Sequence, residues 1–325
     1  GGGWIERLTT AIPMLKFLGF TRCDGADSGG LRAALQWIAA NALVWWLISC
    51  LAFANLDVYG DMVENYGWAQ VWSWGTFKHP PLFAWVVKLW FAVWPETDWA
   101  YYLLACVNTA VGLAGVARLA QRTLPANRAL LAVVLLGMTF PFTTLAFKFN
   151  ANSILLSLWP WTVYCMFGSV RDRRWVPTIG LGMLAAASML GKYYSGVLLL
   201  ALVATTAATE NGRGWWRTRL PWTAGAVFVV AMMPHLVWLA HHDFATLHYV
   251  QEQGNGKIVI GELVKFAAAP LLYSGIAWIA AALMMRTDAW NGLVPRMAKL
   301  VSFNRDSEDP WFWICWLPWL VTLLF

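Results

Sequence analysis

Residues 152–219 read NSILLSLWPWTVYCMFGSVRDRRWVPTIGLGMLAAASMLGKYYSGVLLLALVATTAATENGRGWWRTR. Apolar runs at 152–170, 175–191 and 194–209 are broken first by Arg171, Arg173 and Arg174 and then by Lys192 and Tyr193. Arg213, Arg217 and Arg219 close the stretch. Each run meets or approaches the roughly 20 residues that cross a bilayer. Arginine returns at every second break, which is the sorting expected when cytoplasmic loops hold the cations. The stretch therefore predicts membrane helices joined alternately inside (171–174, 210–220) and outside (192–193).

The alternation extends along the whole chain. Further spans are expected at 35–54, 99–119, 129–147, 221–240, 263–285 and 311–325. Arg22, Arg32, Arg118, Arg122, Arg128, Arg286, Arg296 and Arg305 all fall on the side of Arg171. His79, His235, His241, His242 and His248 fall on the other. A chain that is 59% hydrophobic and 12% charged is too apolar for an ordinary soluble domain. Its net charge of +6 sits in short loops, so it signals topology and not nucleic-acid binding. Many of the 24 tryptophans flank the runs, where an interfacial belt belongs. The expected fold is an all-α integral membrane, multi-span helical bundle with an outer-face amphipathic loop after the first span. It has a cytoplasmic N-terminal segment (1–34) and one transmembrane domain (35–325), with outer loops at 55–98 and 241–262. The start Gly1-Gly2-Gly3-Trp4 reads as an addition, and the stop at Phe325, inside an apolar run, as a C-terminal truncation. The five cysteines show no ligand spacing and read as packing residues.

The outer side holds the polar residues that topology does not explain. Asp57, Asp61, Glu64 and Trp68 share a face if 57–74 is helical. Paired carboxylates suit general-base work; the plainer reading is a solvated acidic face. In Lys78-His79-Pro80-Pro81, Pro81 suits the first turn of the next helix, whose N-terminus adds positive potential beside Lys78 and His79. The apolar run after it, 82–94, is too short to span and should lie along the outer surface. Lys192 with Tyr193 stands near membrane depth, where a lysine is costly unless it snorkels or functions. Lys148, Asn150 and Asn152 occupy another outer turn, with Asn152 placed to cap the next helix. His235 follows Pro234 near the outer end of a span. Together, lysines beside helix starts and paired acids suit a phosphate-bearing substrate at the outer leaflet. Segment 241–262 is polar and reads as a lid. His241, His242, Asp243 and His248 have ligand chemistry, but adjacent histidines share no helix face, so no metal-site residue is assigned.

These stretches resemble the polytopic GT-C glycosyltransferases, in the branch of protein O-mannosyltransferases, lipid A aminoarabinose transferases and rhizobial galacturonosyltransferases (glycosyltransferase family 39-like). The resemblance runs from about 55 to 250. It is carried by Asp61 to Gln70, Trp74 to Leu82, Lys148 to Asn152, Leu190 to Tyr194 and Pro234 to Trp238. It implies a GT-C bundle and transfer of a sugar from a polyprenyl-phosphate donor to an outer-face acceptor. That acceptor is a lipid or glycan, with lipid A, lipopolysaccharide or another envelope glycolipid expected. Asp61 would be the base and Glu64 its partner. Lys78, His79, Lys148, Asn150, Lys192, Tyr193 and His235 would serve the donor phosphate and substrate. Many relatives carry adjacent Asp-Glu, whereas position 62 here is Met, so Asp57 stays a candidate for the base. No cofactor is required on this reading, with a divalent cation as the alternative. The implied setting is a bacterial inner (cytoplasmic) membrane, with the N-terminus cytoplasmic and the active site periplasmic. Membrane lipids are the other partners, and no nucleic acid is expected. The rivals are transfer to protein and, from a different class, a transporter or flippase of lipid-linked sugars. A transporter would place its polar residues at mid-membrane.

Overall fold

The computed structural model describes residues 28–53, 55–56, 60–124, 126–254 and 260–273, with 275 and 279. Every regular element among them is helical. In chain order these are α1 (Ser28–Ala52), α2 (Gly60–Ala69), α3 (Leu82–Phe91), α4 (Asp98–Ala120), α5 (Ala126–Gly137) and α6 (Ile154–Val170). They continue with α7 (Trp175–Gly191), α8 (Ser195–Ala208), α9 (Glu210–Trp216), α10 (Leu220–His241), α11 (Ala245–Gly254) and α12 (Ile260–Tyr273). Helices α1, α4 and α10 are long and apolar enough to cross a membrane. Helices α6 and α7 have 17 residues each, a rise of about 25 Å, slightly less than the roughly 30 Å hydrocarbon core. Large apolar side chains face outward, among them Leu43, Leu47 and Leu51 on α1 and Val230 and Leu236 on α10. Lipid, not protein, is the solvent that suits such a surface.

Small residues set the close helix contacts. The backbone of α4 at Gly112 lies against Leu156 of α6, and a Cβ added there would stand 2.2 Å from the Leu156 carbonyl oxygen. Nearby, Asn108 donates to Ser153 O at 2.7 Å and accepts from Ser157 Oγ at 2.6 Å. Close backbone approach and buried hydrogen bonds are how helices associate where no water can drive them together. Helix α7 packs on both α6 and α10. Gly112→Ala is expected to cost at least about 1–3 kcal/mol through overpacking, because neither backbone can yield without parting α4 from α6. A lower unfolding temperature in detergent would show it; an unchanged one would mean the helices separate without penalty.

The spans alternate in direction along the chain, with α5 returning it between the parallel α4 and α6, and this gives the bundle two chemically distinct ends. At one end lie the C-terminus of α1, the N-termini of α4, α6 and α8, and the C-termini of α7 and α10. Here α2, α3 and α11 cover the bundle. The other end carries Arg118, Arg122, Arg171, Arg173, Arg174, Arg213, Arg217 and Arg219, with Arg122 paired to Asp172 at 2.7 Å. The core under α2 and α3 is Met62, Phe83, Val87, Tyr101, Tyr102 and Phe149, all nearly fully buried.

Several sequence expectations change. The span expected at 129–147 is a shorter helix: α5 stops at Gly137, and 3-10 turns follow at Phe140–Phe142 and Leu145–Phe147. Pro141 lacks the N–H that a continuing helix needs there. Among the described residues, the helix expected over 57–74 covers 60–69, and its last carbonyls are closed by Lys88, whose Nζ donates to Ala69 O and Gln70 O at 3.0 and 3.1 Å. The polar segment after α10 is not a bare loop, because α11 forms from Ala245. Asp243 and Phe244, both at positive φ (50° and 54°), turn the chain between α10 and α11. Asp57, residues 1–27 and the span expected at 311–325 lie outside the described residues. So does the part of 263–285 past α12, apart from residues 275 and 279.

Candidate active site

A cleft of ≈110 Å³ opens at the end opposite the arginines, lined by Asp61, Glu64, Asn65, Lys78, His79, Asn150, Ala151 and Asn152. Three separate chain segments build it. Helix α2 contributes Asp61, Glu64 and Asn65, which share a face because they are three and four residues apart. Asn65 is buried and its Nδ2 donates to Phe149 O at 2.8 Å, fixing α2 over the turn before α6. Tyr101 OH reaches Met62 O at 3.2 Å from α4. The acidic face is thus held from both sides.

The second segment is Thr76 to Pro81. Thr76 Oγ1 donates to His79 O at 2.8 Å and accepts from His79 N at 2.9 Å, closing a tight turn. Pro81 then leads into α3, with Trp85 N donating to its carbonyl. The turn points Lys78 Nζ at Glu64 Oε2, 2.8 Å away, and this bond raises the lysine pKa above its ordinary value. The two carboxylates are therefore distinguished: Glu64 has a cation, while exposed Asp61 accepts from Asn150 Nδ2 at 3.0 Å.

The third segment is the turn before α6. Asn150, not Asn152, does the capping: its Oδ1 accepts from the backbone N–H of Asn152 and of Ser153, each at 2.9 Å. One side chain thus caps the helix and donates to Asp61. Asn152 instead accepts a hydrogen bond from Lys192 Nζ. Burial lowers the Lys192 pKa, nearby Asp61 opposes that, and Lys78 reinforces it. Lys192 therefore reaches the cleft edge through Asn152. Lys148 is half-buried just before Phe149 and does not line the cleft.

Tyr193 and His235 stand behind the cleft as a brace. His235 is 1% exposed, and its Nδ1 lies 2.6 Å from Trp74 O. A carbonyl can only accept, so Nδ1 carries the proton and Nε2 accepts from Tyr193 OH at 2.5 Å. This ties α10 and the α7–α8 turn to the loop that leads into Lys78. Helix α11 adds a second tie, Thr246 Oγ1 to Thr76 O at 2.6 Å, and rests Tyr249 against His79. Asn65 lines the candidate cleft, and Thr76 and Thr246 support the turn beside it; sequence reasoning did not single them out. The position of Asn65, one helical turn past Asp61, was the available signal.

Residues 78–238 match the family model of the dolichyl-phosphate-mannose-protein mannosyltransferases. That stretch, just under half of the chain, is similar to this family. The match supports a membrane glycosyltransferase of the GT-C type. The match begins at Lys78 and encloses Lys148, Asn150, Lys192, Tyr193 and His235; Asp61 and Glu64 precede it and join the site through the fold. No curated protein and no solved structure matches the chain. Among the described residues, no group of three or more His, Cys, Asp or Glu side chains is placed to hold a metal ion.

His79 is held neutral. Burial first, then Lys192 and Lys78, push its pKa down to about 4 from 6.5. The unfolded chain therefore binds this proton more readily between pH 6.5 and 4, and stability falls as pH drops through that window. Thermal unfolding in detergent should show this loss, and His79→Gln should flatten that part of the profile. An identical pH dependence in the variant would assign the loss to other groups.

Proposed function

We propose that this glycosyltransferase moves a sugar from a polyprenyl-phosphate donor to a hydroxyl acceptor on the outer face of a bacterial cytoplasmic membrane. The acceptor proposed is lipid A, lipopolysaccharide or another envelope glycolipid. The observation that carries the reading is a single cleft with a carboxylate on one wall and two lysines within electrostatic reach of it. Asp61 takes the acceptor proton as the hydroxyl oxygen attacks the anomeric carbon. The bond from that carbon to the phosphate oxygen breaks, and its electron pair leaves with the lipid phosphate. Lys78 and Lys192 stabilise the departing charge. In-line displacement inverts the anomeric centre. Glu64 holds Lys78, and Asn150 orients Asp61. The arginine end faces the cytoplasm on this reading, so loops 55–98 and 241–262 lie outside. His235 and Tyr193 brace the Lys78 loop, and Lys148 flanks the turn of Asn150.

The test is transfer from a labelled polyprenyl-phosphate sugar by the purified chain, joined to mass spectrometry of envelope lipids and glycans with and without the gene. A glycolipid that gains one sugar only when the gene is present supports the reading. Glycosylated protein in its place would move the acceptor to the second reading, transfer to protein, which the description of the matching family favours. Gene-dependent movement of the donor across the bilayer without transfer would sink both.

A further inference from the structure

The arginine end of the bundle holds a charge pattern that the proposed reaction does not use. Helices α7 and α10 run parallel and pack closely: a Cβ added at Gly182 would lie 2.5 Å from Ala224 O and 2.8 Å from Val227 Cβ. Their N-termini are therefore neighbours, and two positive dipole ends stand side by side. The residues that enter these helices, Arg174 and Arg219, are themselves cations, and neither gives a side-chain cap. Arg171 and Arg217 are exposed on the same two connections. The first connection also lies against α9, the helix that leads into the second, since Arg173 Nη2 donates to Asn211 O at 2.7 Å. Arg173 holds this pose with a positive φ of 54°, and its Nη1 is buried without a hydrogen-bond partner among the described residues.

Little negative charge answers this. The acids of this end among the described residues are Asp172, already bound to Arg122, and Glu210, exposed in the first turn of α9. The C-termini of α4, α6 and α8 also reach this end and offset the two dipole ends, but the exposed guanidiniums of Arg171, Arg174, Arg217 and Arg219 leave its surface positive and open to an anion. Trp175 and Trp222, 53% and 69% exposed, flank the cluster at the first turns of α7 and α10. Indole rings in that position favour the headgroup region of a bilayer. A free phosphate ion would gain nothing from them, whereas a lipid would contact both charge and ring.

We propose that the connections 171–174 and 217–219 form a binding site for the phosphodiester headgroup of an anionic phospholipid. The site rests on the helices crossing a membrane and not on the identity of the reaction. The test uses the full chain in neutral detergent, titrated with phosphatidylglycerol or phosphatidylcholine and read by native mass spectrometry, with inorganic phosphate as competitor. Phosphatidylglycerol should bind preferentially. R171Q/R174Q should weaken it roughly thirty-fold, the loss expected for two arginine charges near a membrane surface. R217Q, on the other connection, should give a smaller loss, and it decides the matter if the double variant fails to fold. Equal binding of the two lipids, or an unchanged preference in the variants, would overturn the site. Displacement of the lipid by millimolar phosphate would overturn its assignment to a lipid.

Discussion

Asp61→Asn is expected to lower sugar transfer by roughly 10²- to 10⁴-fold, the contribution of a positioned general base. The change is nearly isosteric. The amide that replaces the carboxylate can still accept from Asn150 Nδ2 through its oxygen, so the 3.0 Å contact between α2 and the turn before α6 survives. Asp61 lies in the first turn of α2, where its charge also favours the helix dipole. Losing that interaction costs only about 0.3–1 kcal/mol, far too little to account for a loss of rate of about a thousand-fold. The drop should therefore fall on kcat, with an unfolding temperature close to that of the wild type. Full transfer by the variant would remove Asp61 from the mechanism and leave Glu64 or Asp57 as the base. Asn150→Asp separates the two jobs of position 150: the carboxylate still caps Asn152 and Ser153, but it faces Asp61 without a donor. A fall in activity with little loss of stability is expected there.

How much of this was legible in the sequence depends on the range of the interactions involved. The helices at 98–120, 175–191, 195–208 and 220–241 follow hydrophobic run length, a local property, and sequence reading places them within a residue or so. The segment after Gly137 was harder, because Phe140, Phe142, Leu145 and Phe147 sustain the apolar run while Pro141 and the threonines break the helix. Run length cannot see that break. The segregation of arginine from the acids and the outer lysines also survives in three dimensions, since antiparallel helices turn alternation along the chain into two ends. The partners of individual polar groups were not legible. Asn150 and Asn152 both suit a helix start, and the choice between them depends on Lys192 reaching Asn152 from another turn. His235 looked like a substrate contact beside Pro234. Its burial and its two bonds, to Trp74 and Tyr193, depend on segments 161 and 42 residues away in sequence.

Lys78 carries the second large expectation, and its neighbour supplies the control. The Lys78–Glu64 pair is partly exposed, with side chains 25% and 33% accessible. Pairs of this kind contribute about 0–1 kcal/mol, so breaking one for structural reasons alone should cost less than roughly ten-fold in any equilibrium. A cation stabilising a departing phosphate is worth roughly 10²- to 10³-fold in rate. Lys78→Met is expected to show the larger loss. Glu64→Gln should be milder, because it frees the lysine and leaves its charge in the cleft. The double variant K78M/E64Q decides between the roles. It removes the unpaired carboxylate that K78M creates, so activity returns toward wild type if Lys78 merely neutralises Glu64. If Lys78 meets the donor phosphate, the double variant stays as slow as K78M. Rescue would withdraw the phosphate contact from Lys78 and shift it to Lys192, at the other edge of the cleft.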